Sequence, residues 1–252
     1  MEPLSSHVVP ISALSADDVK RMYDLMEQYY DNVSFSDFTR DLSKKSASIV
    51  LRDRARSQIE GFSTLQHVVV ASEGRIRRGI FSGDTVVSKK YWGNRQLGKM
   101  FLRYFFLQKA KRPWSPLYWL LISKGYKTYL LMANNLNEYY PRCEEPTPHP
   151  KQKLLDAFYD ALYPKQFQPS TGLIVPAGAS CKLREGVAGP SEELIATNER
   201  VKFFVEKNPG WDQGNELACI AEVSFLSPFI YAAKSALQTT RPLFRARHWK
   251  LT

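Results

Sequence analysis

One stretch limits the fold of this chain more than any other: residues 86–106, VVSKKYWGNRQLGKMFLRYFF. It starts with a β-branched pair, passes through a basic, glycine-containing segment and ends in apolar residues at helical spacing. The pattern predicts a strand, a short loop and a helix beginning near Arg95. Lys89, Lys90 and Lys99 surround the start of that helix. Since the first turn of a helix has unpaired N–H groups, this arrangement favours an anionic ligand.

The residues before this stretch predict two helices and three strands. Ser15 precedes two aspartates and an apolar series at helical spacing, which is typical of a capped helix start. A second short helix is predicted from about Ser36 to Lys45. The connections between the strands are too short for parallel crossovers, which predicts an antiparallel meander. The three strands are predicted at residues 48–53, 59–71 and 77–88.

The residues after it continue the alternation of strands and helices. The run LYWLLIS shows little alternation of apolar and polar residues, as expected of a central strand. Beyond a proline-rich connector at 144–150, further helices and strands alternate and end in a basic tail. We therefore predict an α/β (more strictly α+β) fold with a mixed, mostly antiparallel sheet and helices on both faces. The elements are strands at 117–123, 171–177 and 216–224 and helices at 125–135, around 154–162 and at 191–206.

The formal net charge of +10 is compatible with several anionic partners: nucleic acid, an anionic membrane, a polyphosphate-bearing cofactor or an acidic protein. The basic residues are spread along the chain, and no RNP, helix-turn-helix or zinc-finger spacing is present, so nucleic acid is the weakest of these. The four histidines show no ligand spacing, which predicts no metal.

The cysteines and the apolar runs bear on location. Cys143, Cys181 and Cys219 are far apart and form no CxxC pair, which favours reduced thiols and a cytoplasmic protein. The N-terminal residues lack the pattern of a signal peptide. The longest apolar candidate, around Pro228 and Lys234, is too short for a transmembrane segment and predicts a core helix.

With these elements placed, the order α-α-β-β-β-α-β-α with a basic loop entering the third helix resembles the GNAT (Gcn5-related) acyltransferase superfamily. That family carries a loop of pattern Q/R-x-x-G-x-G/A, and the run YWGNRQLGKMF is similar to it. Aligned on Gly98, this chain has Gln96 where the family has its middle glycine. The resemblance implies that loop amides hold the pyrophosphate of acyl-CoA, most simply acetyl-CoA. The implied donor-binding residues are Val86, Val87, Ser88, Gly93, Asn94, Arg95, Gln96, Leu97, Gly98, Lys99 and Ser123.

The resemblance also implies catalytic groups. A tyrosine on the helix after the next strand would protonate the departing thiolate, and Tyr126 and Tyr129 fall there; both are also typical packing residues. Deprotonation of an amine acceptor calls for a carboxylate, for which Asp84 and Glu60 are the candidates. An aspartate after glycine at a strand start is equally a common turn former.

The implied function is acyl transfer from a phosphopantetheine thioester to an amine, most simply of a small-molecule acceptor, by direct attack in a ternary complex. Residues 1–145 would form the donor-binding core, and residues 146–252 an extension that completes the sheet and shapes the acceptor pocket. An acidic acyl carrier protein is an alternative donor, because the loop departs from the family pattern and the chain is basic. A non-catalytic module that binds nucleic acid or an anionic membrane is the alternative from another class.

Overall fold

A computed structural model describes residues 3–176, 182–184 and 189–225 of the chain. Within these residues a nine-stranded sheet has the order β1-β3-β4-β5-β6-β11-β9-β8, with β7 paired to β11, and β10 pairs separately with β2. The strands are β1 (Leu4–Pro10), β2 (Tyr30–Asp31), β3 (Ala47–Asp53), β4 (Ile59–Ser72), β5 (Arg75–Val87), β6 (Leu117–Ser123), β7 (Tyr139–Tyr140), β8 (Phe167–Gln168), β9 (Leu173–Ile174), β10 (Lys182–Leu183) and β11 (Glu216–Glu222).

Helices cover both faces of the sheet. One face carries α3, α4 and α7, whose buried residues surround Trp119, and the other carries α1 and α2 over β3–β4 and α5 over β5–β6. The predicted fold class, a mixed and mostly antiparallel sheet flanked by helices, is confirmed. The helices are α1 (Ala16–Tyr29), α2 (Phe35–Leu42), α3 (Gln96–Ala110), α4 (Tyr126–Asn135), α5 (His149–Leu162), α6 (Glu192–Thr197) and α7 (Glu199–Lys207).

The structure departs from the prediction at three places. The N-terminal residues form an edge strand, β1, which pairs with β3. The single helix predicted over 191–206 is two helices, because the backbone of Asn198 is extended and its side chain caps the start of α7. The strand predicted at 171–177 contains only the two residues of β9, and residue 177 lies outside the described residues. Cys181, the C-terminal apolar run and the basic tail also lie outside them.

The strands β5 and β6 are the only parallel neighbours among the described strands, and they separate at their carboxyl ends. Their pairing runs from Arg78 opposite Leu117 to Ser82 opposite Leu121 and then stops. On the other side of β5, the register with β4 shifts so that Gly83 and Asp84 together face Thr64, a β-bulge. A Cβ on Gly83 would lie 2.6 Å from Thr64 Oγ1, so any larger residue there would displace the Thr64 side chain. The bulge therefore bends β5 away from β6.

The buried hydroxyl of Tyr159 joins β6 to β11 beneath this opening. Its hydrogen is shared between two carbonyl oxygens, Leu121 O at 2.6 Å and Cys219 O at 2.7 Å. Its oxygen accepts from Cys219 N–H at 3.2 Å. Replacing Tyr159 by phenylalanine would leave buried backbone groups unsatisfied, so we expect a loss of about 1–3 kcal/mol of unfolding free energy. Urea denaturation measures it, and Tyr140→Phe, which loses one contact to Glu145, is the control expected to change little. Equal effects of the two substitutions would contradict this role.

Candidate active site

A cavity of about 540 Å³ fills the opening between the carboxyl ends of β5 and β6. Its walls come from the end of β5, the loop that follows it, the end of β6, the start of α4 and the C-terminal end of α2. It is a polar-ended cleft with apolar walls, as expected of a small-molecule site. The lining side chains used below are Tyr29, Asp41, Lys45, Asp84, Val87, Trp92, Asn94, Leu97, Lys124, Lys127, Thr128 and Glu216.

Asp84 faces this cavity from the bulge in β5. Its carboxylate accepts no hydrogen bond and makes no ion pair with any described residue. Burial, together with the negative charge of Asp41, raises the pKa of Asp84 to about 6, although Lys45 and Lys124 act in the opposite direction. A carboxylate with this pKa is ionised at neutral pH and still basic enough to accept a proton efficiently. Of the two carboxylates predicted from sequence, Asp84 has the properties of a general base.

Two ion pairs lie at the same end of the cavity as Asp84. Lys45, whose side chain is only 4% exposed, pairs with Asp41 at 2.9 Å. Lys124 pairs with Glu216 at 3.1 Å. With Asp84 ionised, this end holds three carboxylates and two ammonium groups, so its net charge is −1 in a chain of net charge +10. This acidic end of the cavity therefore favours a cationic ligand.

The loop between β5 and α3 forms the opposite end of the cavity. Gly93 turns it with a φ of +82°, and a Cβ there would meet no atom within 4 Å. Asn94 Oδ1 accepts from Gln96 N–H at 2.8 Å and so caps α3 from two residues upstream. Among the described residues, the N–H groups of Leu97 and Gly98 in the first helical turn have no acceptor. These two amides and the helix N-terminus can bind an anion.

Several other amides of this loop are already paired. Lys89 N–H donates to the Tyr29 hydroxyl at 2.7 Å, and Asn94 N–H donates to Tyr91 O at 3.0 Å. The loop thus offers fewer free amides than the resemblance implies. Only some of the backbone amides in residues 88–99, where most of the predicted donor-binding residues lie, are therefore free to bind a ligand.

An aromatic group borders the cavity at the end of β5. The Trp92 indole donates to Val87 O at 2.8 Å, and its ring lies 5.8 Å from the ring of Tyr29. Lys127 Nζ lies 5.5 Å from the centre of the Trp92 ring. Burial lowers the pKa of Lys127 below its ordinary value.

The backbone of β5 presents only alternate residues to the opening. Ser88 N–H donates to Glu60 O on β4 at 2.8 Å, so the neighbouring Val87 directs its N–H and C=O toward the side that β6 has left. Val86 then faces β4. Of these two predicted donor-binding residues, only Val87 therefore has its N–H on the open edge.

The structure separates the predicted residues into two groups. Asp84, Val86, Val87, Gly93, Asn94 and Leu97 line the cavity. Ser88, Arg95, Gln96, Gly98, Lys99, Ser123, Glu60, Tyr126 and Tyr129 do not.

The two tyrosines predicted as proton donors belong to the core. Tyr129 is fully buried and donates to Pro141 O at 3.1 Å, and Tyr126 packs against the same core cluster. Burial raises the pKa of both hydroxyls. The residues of α4 that reach the cavity are instead Lys127, Thr128 and Leu131, on another face of the helix. Ser123 is also internal, because its hydroxyl donates to Gly125 O at 2.8 Å.

Glu60 lies on β4 under the loop, outside the cavity lining. Its carboxylate accepts from the Ser88 hydroxyl at 2.6 Å and pairs with Lys90 at 2.9 Å and Arg21 at 3.4 Å. Burial alone would raise its pKa, but Ser88 and Lys90 together lower it below the ordinary value. Such a paired carboxylate is a poor base. Its role here is to fix the loop to the sheet.

Replacing Glu60 by glutamine should therefore affect stability more than chemistry. We expect a loss of about 1–3 kcal/mol near pH 7, because Arg21 and Lys90 lose a buried partner. Since the folded-state pKa is lowered, the contribution is present above the ordinary value of 4.5 and is lost as pH falls through the lowered pKa. Urea denaturation at neutral and acidic pH tests this, with the exposed Glu27→Gln as control. A deficit that stays constant with pH would contradict the assignment.

Sequence reasoning missed the residues that give the cavity its acidic end. Asp41 and Lys45 are four residues apart around the end of α2. Lys124 directly follows β6, and Glu216, which begins β11, comes 92 positions later in the chain. The i,i+4 spacing of the first pair was a usable signal. The second pair depends on β11 lying beside β6, which no local pattern shows.

Within the described ranges no three His, Cys, Asp or Glu side chains are grouped as metal ligands would be. A search of the same residues found no helix with the length and apolarity needed to cross a membrane.

No protein-family model matches the chain, and no curated protein is significantly similar to it. Solved structures are similar to parts of it. A probable N-acyltransferase of Enterococcus faecalis is 15% identical, with 54% of this chain and 33% of that chain covered and a TM-score of 0.41. A GNAT family N-acetyltransferase of Escherichia coli, in complex with CoA, is 15% identical, with 54% and 74% covered and a TM-score of 0.36.

An acetyltransferase of Trypanosoma brucei is 16% identical, with 51% of this chain and 89% of that chain covered and a TM-score of 0.37. This chain spans only a third of the length of the Enterococcus faecalis protein. Because the similarity is partial, the function has to be inferred from the chemistry of the cavity itself.

Proposed function

We propose that this protein transfers an acyl group from a phosphopantetheine thioester, in the first instance acyl-CoA, to a primary amine. The observation that carries the proposal is Asp84, a carboxylate of raised pKa in the cavity where β5 and β6 separate. Its pKa of about 6 is matched to removing a proton from an attacking ammonium near neutral pH.

The open edge of β5 would hold the donor. An extended pantetheine arm carries amide groups and can pair with the unpaired edge of a strand as a further strand would. The N–H of Val87 lies on that edge, where it can donate to the thioester carbonyl as negative charge develops there. The free amides of Leu97 and Gly98 at the start of α3 would bind phosphate. The phosphate would thus lie at the start of α3 and the thioester carbonyl at Val87, with the pantetheine arm between them.

The acidic end of the cavity would hold the acceptor. Its net charge of −1, from Asp41, Asp84 and Glu216 against Lys45 and Lys124, suits a single ammonium group. Asp84 would take the proton, and the neutral amine would attack the thioester directly. The C–N bond forms as the C–S bond breaks, and the thiolate leaves with the electron pair.

Lys127 would protonate the leaving thiolate. It lines the cavity, and burial lowers its pKa toward that of a thiol, which makes its ammonium a better proton donor than an ordinary lysine. We prefer Lys127 to Tyr126 and Tyr129 for this role, because Tyr129 is a core residue and Tyr126 packs against the core.

An acyl carrier protein remains the alternative donor, for one structural reason. The amides of Lys89, Asn94 and Gln96 are paired within the protein. A loop with few free amides suits the single phosphate of a carrier-protein arm as well as the pyrophosphate of CoA.

Calorimetric titration with acetyl-CoA and longer acyl-CoAs tests the proposal. We expect saturable binding, and turnover when an amine panel is added. S-acetylpantetheine, which has no phosphate, is the matched ligand and should bind more weakly. If folded protein binds no thioester, whether on CoA or on an acyl carrier protein, the proposed function is wrong.

A further inference from the structure

One long part of the chain carries basic residues and no acidic ones. No acidic residue occurs between Asp84 and Glu138, whereas ten lysines and arginines do, a number equal to the net charge of +10. Only part of this charge lies at the cavity. A second group of cations lies around the C-terminal end of α3 and the start of β5, namely Arg78, Lys109, Lys111 and Arg112, which we call the basic end.

Arg78 is the most unusual member of the basic end. Its Nε and Nη2 atoms are buried and have no hydrogen-bond partner among the described residues. Burial and the nearby charge of Arg112 lower its pKa, and the charges of Arg78 and Lys111 likewise act on His67. Within the described chain, Arg78, Lys111 and Arg112 form no salt bridge with an acidic residue. Several cations held together without a carboxylate leave a place for an external anion.

Exposed apolar side chains accompany these cations. Trp114, two residues after Arg112, is 96% exposed, and Ile76 and Val69 are 67% and 61% exposed near the turn of the β4–β5 hairpin. Val69 pairs with Arg78 and Ala71 pairs with Ile76, so Val69, Ile76 and Arg78 project from the same face of the sheet. The exposed apolar residues therefore stand beside the unpaired guanidinium.

We propose that the basic end is a docking surface for an anionic lipid bilayer, with Lys111 and Arg112 contacting headgroup phosphates, the partly buried Arg78 adding positive charge beside them, and Trp114 entering the interface. Tryptophan and long cationic side chains together are characteristic of proteins that lie on membranes. Exposed aliphatic residues such as Ile76 and Val69 add apolar area that a bilayer buries. Nucleic acid would use the cations and Trp114 but gives these aliphatic residues nothing to contact, so the bilayer is the better match.

The basic end is separate from the proposed donor site. Arg78 precedes Asp84 by six positions on one extended strand, a distance of about 20 Å. The last described residue, Phe225, packs against Phe106 near the end of α3, with Lys109 over its ring. The sequence after it contains Lys234, Arg241, Arg245, Arg247 and Lys250 and no acidic residue, so the chain continuing from this end is also positively charged.

Vesicle flotation tests the proposal with the full chain. We expect binding to vesicles of equal parts phosphatidylcholine and phosphatidylglycerol, little binding to phosphatidylcholine alone, and loss of binding at high salt. Lys111→Gln with Arg112→Gln should lower the partition coefficient about 25-fold, at about fivefold per cation near an anionic surface. Trp114→Ala should lower it further. Lys44→Gln with Lys202→Gln, which removes two exposed lysines elsewhere, is the matched control and should change it much less.

The outcomes separate the possibilities. Equal binding to neutral and anionic vesicles, or equal effects of the two double variants, would overturn the proposal. So would binding to a single-stranded RNA oligonucleotide without binding to vesicles. Because Lys111, Arg112 and Trp114 lie outside the cavity, both double variants and Trp114→Ala should still bind acetyl-CoA like the original protein if the proposed function is correct. Vesicle binding is expected whether or not that function holds.

Discussion

Replacing Asp84 by asparagine is expected to lower kcat/KM for acyl transfer by about 100- to 10,000-fold, the usual contribution of a general base. Asparagine has the same shape but cannot take the proton from the acceptor ammonium. The proposed donor contacts at Val87, Leu97 and Gly98 do not involve the carboxylate, so the dissociation constant for acetyl-CoA should stay within about threefold of the original. Steady-state kinetics with a saturating amine, paired with calorimetry, measure the two quantities separately.

The same substitution should make the protein more stable at neutral pH. The pKa of Asp84 is raised to about 6 from an ordinary value of 3.8, so the fold favours its protonated form. That contribution to stability is present below about pH 4 and is lost as pH rises through 6. Asparagine stays neutral, so above pH 6 the variant should gain about 1 kcal/mol, allowing for solvent screening of a half-buried group. A variant that is both inactive and less stable would indicate a structural role instead.

The pH profile gives a further check on Asp84. In the original protein kcat/KM should rise through about pH 6 as the base ionises, and the variant should lose this limb. At alkaline pH it should fall as Lys127 loses its proton below the ordinary lysine value of 10.5. Lys127→Met should remove the alkaline limb and keep the acidic one. If both limbs persist in the two variants, other groups transfer the protons.

Much of the fold could be predicted from local patterns. Ser15 and the apolar spacing behind it specify α1, with a capping box formed by Ser15 and Asp18. LYWLLIS specifies a central strand because both of its faces are covered, and β6 has the predicted bounds. What failed depended on partners distant in sequence. The N-terminal strand β1 exists because β3 offers it an edge, and nothing within residues 4–10 shows that.

The candidate site could be predicted only in part, and for a physical reason. Asp84 and the loop of Gly93 and Asn94 are close in sequence, so their proximity in the structure could be predicted. The choice between Lys127 and Tyr129 on α4 depends on helix rotation of about 200°, which is set by the packing of Tyr129 against Phe203 and Phe204 from α7. Glu60 and Asp84 look alike in sequence, but Glu60 pairs with Arg21 and Lys90, whereas Asp84 forms no ion pair within the part of the chain that the structure describes.

The loop end of the cavity supports the second large effect, which follows from changing Asn94 to aspartate. Asn94 lines the cavity, and its Oδ1 accepts from Gln96 N–H at 2.8 Å. Aspartate keeps that acceptor and adds negative charge at a helix N-terminus, so stability should hold or rise by about 0.3–1 kcal/mol. The same charge would stand beside any phosphate bound by the Leu97 and Gly98 amides. At an effective dielectric constant of about 20 and a separation of about 6 Å, the repulsion is about 2.8 kcal/mol.

This repulsion corresponds to roughly a 100-fold weaker dissociation constant for acetyl-CoA. The matched ligand is S-acetylpantetheine, which has the same thioester and arm but no phosphate, and its affinity should be unchanged. Calorimetry with both ligands on Asn94→Asp and the original protein completes the test. Equal weakening of both ligands would mean that the substitution distorts the cavity. Unchanged binding of both would place the phosphates away from α3, and the start of that helix would then be a cap on the core and not part of the donor site.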